Sequence, residues 1–145
     1  MNLNPLEGIA VFTDGSAHYK DRIGGWGWVA IDAFDGIHLA SGWYEDCTNN
    51  QMELYAPIDA LQTIFENYGA IDVLVVSDSE YVVLGCQEPS RARNVNKEFW
   101  SELDLAIDLH NYVEFEHIKG HAGHMYNEMA DDLAGKARKE KTDEL

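Results

Sequence analysis

The sequence predicts an α/β fold: a five-stranded mixed sheet, three antiparallel strands then two further strands, flanked by helices. Three observations carry this expectation. Short apolar runs bounded by turn residues fall at 9–13, 24–31 and 37–44, the spacing of an antiparallel meander. The period then becomes helical over the following twenty or so residues. Val73-Leu74-Val75-Val76 is apolar on both faces, as suits the central, parallel part of a sheet.

Ile9 to Thr13 reads as a strand closed by a turn at Asp14-Gly15-Ser16. Gly24 to Ile31 is a second strand, Gly36 begins a turn, and Ile37 to Tyr44 alternates as a third. Thr48 or Asn49 caps a helix carrying Met52, Tyr55, Ile58, Leu61 and Phe65 at helical spacing. Pro57 sits inside it and cannot donate to the Glu53 carbonyl, so a local kink is expected. Tyr68-Gly69 ends this helix, and the Val73–Val76 strand closes on Ser77-Asp78-Ser79. Ser79 to Gly85 reads as a short helix, Gln87 to Arg93 as a polar loop, Asn96 to Asn111 as a helix and Tyr112 to Ile118 as the fifth strand. Gly120-His121-Ala122-Gly123-His124 reads as a flexible loop before a last helix, Tyr126 to Lys139. The tail from Glu140 is expected to fray.

A chain of 145 residues and 16.3 kDa makes one domain, 1–145, with its core at about 8–138 and a short polar tail. With 46% hydrophobic residues it should fold, and its apolar runs are too short to span a bilayer. The first residues show no secretory signal, and two cysteines, Cys47 and Cys86, make no disulfide framework, so a cytoplasmic location is expected. Nothing calls for an obligate protein partner, and a monomer is expected. Ten Lys and Arg face 26 Asp and Glu, a net charge of −16, which by itself argues against nucleic-acid binding. The cations cluster, however, at Arg91, Arg93 and Lys97 and again at Lys136, Arg138, Lys139 and Lys141.

Four acids have distinctive settings. Asp14 and Asp78 each follow a strongly apolar strand, and strand ends are where open α/β sheets bind ligands. Glu53 lies in the first turns of a capped helix, and Asp131 near the start of the last helix. If the two strands are neighbours, the four converge. Clustered carboxylates repel one another unless cations lie between them, and an all-oxygen set suits Mg²⁺ or Mn²⁺. Two such ions, about 3.5–4 Å apart, clamp the attacking and leaving oxygens of a phosphoryl transfer. Among 26 acidic residues a strand-end Asp arises by chance, so only the residues around each one distinguish it.

Those words are Thr13-Asp14-Gly15-Ser16-Ala17, Gly24-Gly25-Trp26-Gly27, Thr48-Asn49-Asn50-Gln51-Met52-Glu53-Leu54, Ser77-Asp78-Ser79-Glu80-Tyr81-Val82, Lys119-Gly120-His121-Ala122-Gly123-His124 and Asn127-Glu128-Met129-Ala130-Asp131-Asp132-Leu133-Ala134. Over nearly the whole chain the sequence resembles the type 1 ribonuclease H family. The resemblance implies a ribonuclease H-like fold and endonucleolytic, metal-dependent hydrolysis of the RNA strand of RNA–DNA hybrids. The products implied are a 3′ hydroxyl and a 5′ phosphate. It places the metal ligands on Asp14, Glu53, Asp78 and Asp131. Asp14 bridges two Mg²⁺ ions (Mn²⁺ a possible substitute), Asp131 helps hold the ion that activates water, and Glu53 and Asp78 hold the other. It gives His121 a part in proton transfer or product departure. Hybrid contacts are implied for Asn49 and Asn50 at the minor groove, for backbone near Gly15 and Ser16, for Thr48 at a DNA-strand phosphate, and for Glu80 and Asn127.

Three departures stand out. Glu80 replaces the usual glutamine, and a carboxylate repels phosphate. His18-Tyr19-Lys20-Asp21-Arg22-Ile23 replaces the frequent Asn-Pro-Gly-Pro loop. Only a dozen or so residues separate Gly85 from Phe99, so the lysine-rich handle of some members is missing. Arg91, Arg93 and Lys97 either replace it in part or keep a loop soluble, and the cations of the last helix either form a second handle or complement its dipole. Other readings remain open on the sequence: a nuclease of the same fold acting on other nucleic acids, a non-catalytic binding module, and an acidic mimic of DNA.

Overall fold

The computed structural model describes residues 8–119 and 124–144. One sheet runs in the order β3-β2-β1-β4-β5, built from β1 (Gly8–Ala17), β2 (Gly24–Ile31), β3 (Ile37–Tyr44), β4 (Asp72–Ser77) and β5 (Tyr112–His117). The β1–β2 and β2–β3 pairs are antiparallel, and the β1–β4 and β4–β5 pairs are parallel. Helices α1 (Asn49–Tyr68), α2 (Glu80–Gln87), α3 (Pro89–Ala92), α4 (Lys97–Asp108) and α5 (Met125–Asp143) flank it. This is the mixed sheet that the sequence predicts.

Three boundaries differ from expectation. Asp14-Gly15-Ser16 is not a turn. The strand continues through it because β2 pairs with it residue by residue, from Asp14 opposite Gly27 to Ala17 opposite Gly24. Gln87–Arg93 is not wholly loop: Pro89, with its fixed φ, opens the single turn α3. The last helix does not fray at Glu140 but runs to Asp143. The Lys141 ammonium lies 4.1 Å above the Trp43 ring. It also lies 3.2 Å from the Glu45 carboxylate, so the sheet edge holds the final turns in place. Pro57, buried, leaves α1 continuous.

The strands alternate between two packed faces. Ile9, Val11, Trp28, Val73 and Val75 form the core with Leu54, Ile58 and Leu61 of α1 and Trp100 and Leu103 of α4. The opposite face meets α5, where Phe12 and Tyr126 rings lie 5.5 Å apart. Glycines set how closely the helices approach. A Cβ on Gly15 would lie 2.3 Å from the backbone of Met52, so α1 reaches β1 only because that side chain is absent. On β2, a Cβ on Gly25 would lie 2.0 Å from the Ala134 carbonyl oxygen, and one on Gly27 would lie 2.9 Å from that of Ala130. The two helices that bring Glu53 and Asp131 to the sheet therefore both rest on glycine.

Gly25→Ala should cost about 1–3 kcal/mol of stability in urea denaturation, because the new methyl has nowhere to go but into the backbone of α5. An unchanged midpoint would contradict this packing.

Candidate active site

At one end of the sheet β4 stops while β1 continues. Thr13 pairs with Ser77 in the last step of the parallel ladder, so Asp14 and Asp78 come next on adjacent chains. Thr48 caps α1: its hydroxyl accepts the Gln51 N–H, and the Gln51 side chain accepts the Thr48 N–H. Glu53 follows in the next turn, and its Oε1 accepts the Gly15 N–H at 2.6 Å. One oxygen each from Asp14, Glu53 and Asp78 lie within 4.8 Å of one another. Asp131, from α5, hydrogen-bonds with the Asp14 carboxyl. The four acids singled out in the sequence thus come together.

Their electrostatics are those of a crowded, partly dry site. Asp14 is 8% exposed. Burial raises its proton affinity far above the ordinary carboxylate range, and its hydrogen bond to Glu53, the charges of Glu53 and Asp78, and its contact with Asp131 raise it further. Glu53 is also raised, again chiefly by burial. The repulsion of Asp78 adds to this, while hydrogen bonds from Asp14, the Gly15 amide and Ser79 oppose it. Burial and mutual repulsion thus raise the proton affinity of this pair when no cation lies among the carboxylates. The charges acting on both groups are negative. An all-oxygen donor set that raises its own proton affinity in this way fits a hard divalent cation.

Ser79 is a member that sequence reasoning missed. Its hydroxyl caps α2 by accepting the Val82 N–H and also hydrogen-bonds Glu53. A serine two residues after β4 reads as a helix cap, and nothing in the sequence tells that its neighbour is Glu53. The Gly15 amide, expected near the hybrid, is engaged by Asp14 and Glu53. Ser16 is half-buried in β1 opposite Gly25. Thr48, Asn49 and Asn50 are exposed at the start of α1, and Asn49 accepts the Ala17 N–H through Oδ1. Glu80 is exposed in the first turn of α2. Asn127 is 3% exposed, one helical turn before Asp131, and its Oδ1 meets no partner among the described residues. His121 lies outside the described residues.

Of the basic cluster before α4, Arg93 is put to structural use. Arg93 donates to the Gly85 carbonyl at 2.8 Å and pairs with Asp104 at 2.6 Å. Its guanidinium also sits 4.5 Å above the Trp100 ring. It braces α2 against α4 and has little left to offer a ligand. No helix among the described residues is long and apolar enough to cross a membrane.

Comparison with known proteins agrees with this geometry. The RNase H family model matches residues 7–139. The chain is 35% identical to a ribonuclease H of Francisella philomiragia over 92% of its length and 93% of that protein's. It is 37% identical to a ribonuclease H of Ruthia magnifica, over 89% of this chain and 94% of that one. Among solved structures, LC11-RNase H1 in complex with an RNA/DNA hybrid superposes with a TM-score of 0.80 at 25% identity, covering 92% of this chain and 99% of that chain.

Proton affinities raised by folding have a definite consequence. Below about pH 4 both the folded and the unfolded carboxyls are protonated and the cluster costs nothing. As pH rises, only the unfolded chain ionises freely, so stability without metal is lost progressively. In EDTA the melting temperature should fall from about pH 4 to pH 8, less so in Asp14→Asn, and the variant should melt above the wild-type protein at pH 8. Divalent cations should raise the wild-type melting temperature and move Asp14→Asn much less. Metal-free stability that climbs steadily over this range would contradict the crowded-carboxylate picture.

Proposed function

This chain belongs to the ribonuclease H family, and we propose that Asp14, Glu53, Asp78 and Asp131 are the residues with which it cuts the RNA strand of RNA–DNA hybrids. The observation that carries this reading is the meeting of oxygens from Asp14, Glu53 and Asp78 within 4.8 Å, from three separate stretches of chain. The family is divalent-metal dependent, and Mg²⁺ is the ion we assign to this all-oxygen set. Asp14, Glu53, Asp78 and Asp131 would hold the metal. Bound there, divalent ions supply positive charge that activates water and stabilises the departing 3′ oxygen.

The chain's own groups do the rest. Ser79 and the Gly15 amide orient Glu53, and Asp131 steadies Asp14. His121 passes a proton or aids departure of the 5′ phosphate, a task suited to an imidazole near neutrality. Asn49 and Asn50 face the minor groove of the hybrid, where amides both donate and accept and so tell a 2′ hydroxyl from its absence. Thr48 meets a phosphate of the DNA strand. Ser16 and Glu80 border the same surface, and the carboxylate of Glu80 weakens the grip on the backbone, while Asn127 is itself buried one helical turn before Asp131. Cys47 and Cys86 are free thiols, in keeping with work in the reducing cytoplasm, and a monomer is the state we propose.

With a labelled hybrid in Mg²⁺, Asp14→Asn and Asp78→Asn should each lower kcat by at least about 100-fold, the scale of losing a preorganised electrostatic group. Asp131→Asn should do far more harm than Asp132→Asn. His121→Ala should cost about 10- to 100-fold in kcat, the scale of one general acid–base group, with little change in KM. Duplex DNA and duplex RNA should stay intact. Equal cutting of duplex DNA, or full activity in Asp14→Asn, would overturn the assignment.

A further inference from the structure

Asp14 and Asp78 emerge side by side at the end of the sheet, but their backbones are held differently. One rung crosses three strands there: Thr13 pairs with Ser77, and Ser77 with His117. β1 continues past this rung, and Asp14 stays in register with Gly27 of β2. β4 ends at Ser77, and α2 takes its cap from Ser79. Asp78 is the one residue between strand end and helix cap, outside both the ladder and the helix.

β5 supplies what the β1–β4 ladder does not. Ile118 N–H donates to the Ser77 carbonyl at 3.0 Å, just before Asp78. The His117 ring reaches one residue further, and its Nε2 lies 3.2 Å from the Asp78 carbonyl oxygen. A carbonyl oxygen only accepts, so Nε2 carries the proton and donates. At the far end of α2, Gln87 Nε2 donates to the Phe115 carbonyl at 3.1 Å. The segment bearing Asp78 and the helix after it are therefore fastened to β5 at both ends. His117 is exposed, beside a cavity of about 340 Å³ lined also by Glu80, Val83, Leu84 and Gln87. An exposed ring bordering an open groove adds little to the core, and its contact with Asp78 is what sets it apart.

We infer that His117 is a positioning residue for Asp78: by donating to its carbonyl it fixes the chain there and so aims the Asp78 carboxylate at a divalent cation. The inference rests on the metal-holding role proposed above for the four acids. Groups that orient a ligand without touching the ion tune how well the ion is held. An Asp78 already fixed in place loses less freedom when an ion binds. The hydrogen bond from His117 therefore contributes to metal affinity and not to the chemical step.

Calorimetric titration of Mn²⁺ into the metal-free protein tests this. His117→Phe keeps a ring and removes the donor, and it should weaken Mn²⁺ binding by about three- to tenfold, the scale of one hydrogen bond. His117→Gln, whose amide N–H can take the place of Nε2–H, should bind within about twofold of wild type, and so should Glu116→Gln, a control on the other face of β5. On a labelled hybrid, the Mg²⁺ concentration for half-maximal rate should rise in His117→Phe by the same factor. KM for the hybrid and kcat at saturating Mg²⁺ should stay within about twofold of wild type, whereas loss of a catalytic group would lower kcat at every metal concentration. Nitrogen-15 NMR of histidine-labelled wild-type protein at pH 8 should place the His117 proton on Nε2, a measurement that needs no variant to fold. If His117→Phe binds Mn²⁺ as wild type does, if His117→Gln is as weak as His117→Phe, if the rate deficit persists at saturating Mg²⁺, or if the proton sits on Nδ1, the inference fails and the nuclease reading stands. If wild-type protein binds no Mn²⁺, both fail.

Discussion

Mutual repulsion of carboxylates in a partly dry pocket is the constraint around which this fold is arranged. Asp14 is 8% exposed and surrounded by other acids. Burying such a group without a counter-charge is costly, which raises its proton affinity, and the surrounding structure holds the acids together. Hydrogen bonds from the Gly15 amide and Ser79 hold Glu53, and the parallel register of β1 and β4 sets Asp14 beside Asp78. Glycines at 15, 25 and 27 let two helices approach from opposite faces of the sheet. The arrangement resembles a socket already shaped for cations, in which metal binding relieves strain that folding creates.

Much of this was legible in the sequence, and the reasons are physical. Val73 to Val76 announced a strand buried on both faces, and helical periodicity with a polar cap announced α1. Neither needs tertiary knowledge. The four acids could be singled out because Asp14 and Asp78 each follow an apolar strand run, while Glu53 and Asp131 fall in the first turns of helices. What escaped was what depends on pairing. Asp14-Gly15-Ser16 carries turn residues, yet β2 runs alongside and keeps it extended. The end of α5 has a weak local signal, but Lys141 finds Trp43 and Glu45 across the sheet edge. Ser79 reads as a cap from sequence alone, and only the fold shows that it also reaches Glu53.

The acidity of the chain takes on a different meaning once its cations are located. Arg93 braces helices, and Lys141 pins the last one. Cavities of about 330 and 410 Å³ open around Tyr68, at the end of β1 opposite Asp14, and one of about 340 Å³ lies beside Glu80 and His117. A polymer lying across a sheet edge needs an open ledge with a few well-placed donors rather than a deep cavity. Net charge therefore bears on how fast and at what salt the substrate arrives, while the placement of single residues governs what is cut.

Anomalous diffraction from a crystal soaked in Mn²⁺ tests the central claim most directly. The account predicts metal density in contact with Asp14, with Glu53 and Asp78 on one side and Asp131 on the other. Density confined to other surface acids, or an empty cluster whose carboxylates have turned apart into solvent, would contradict it.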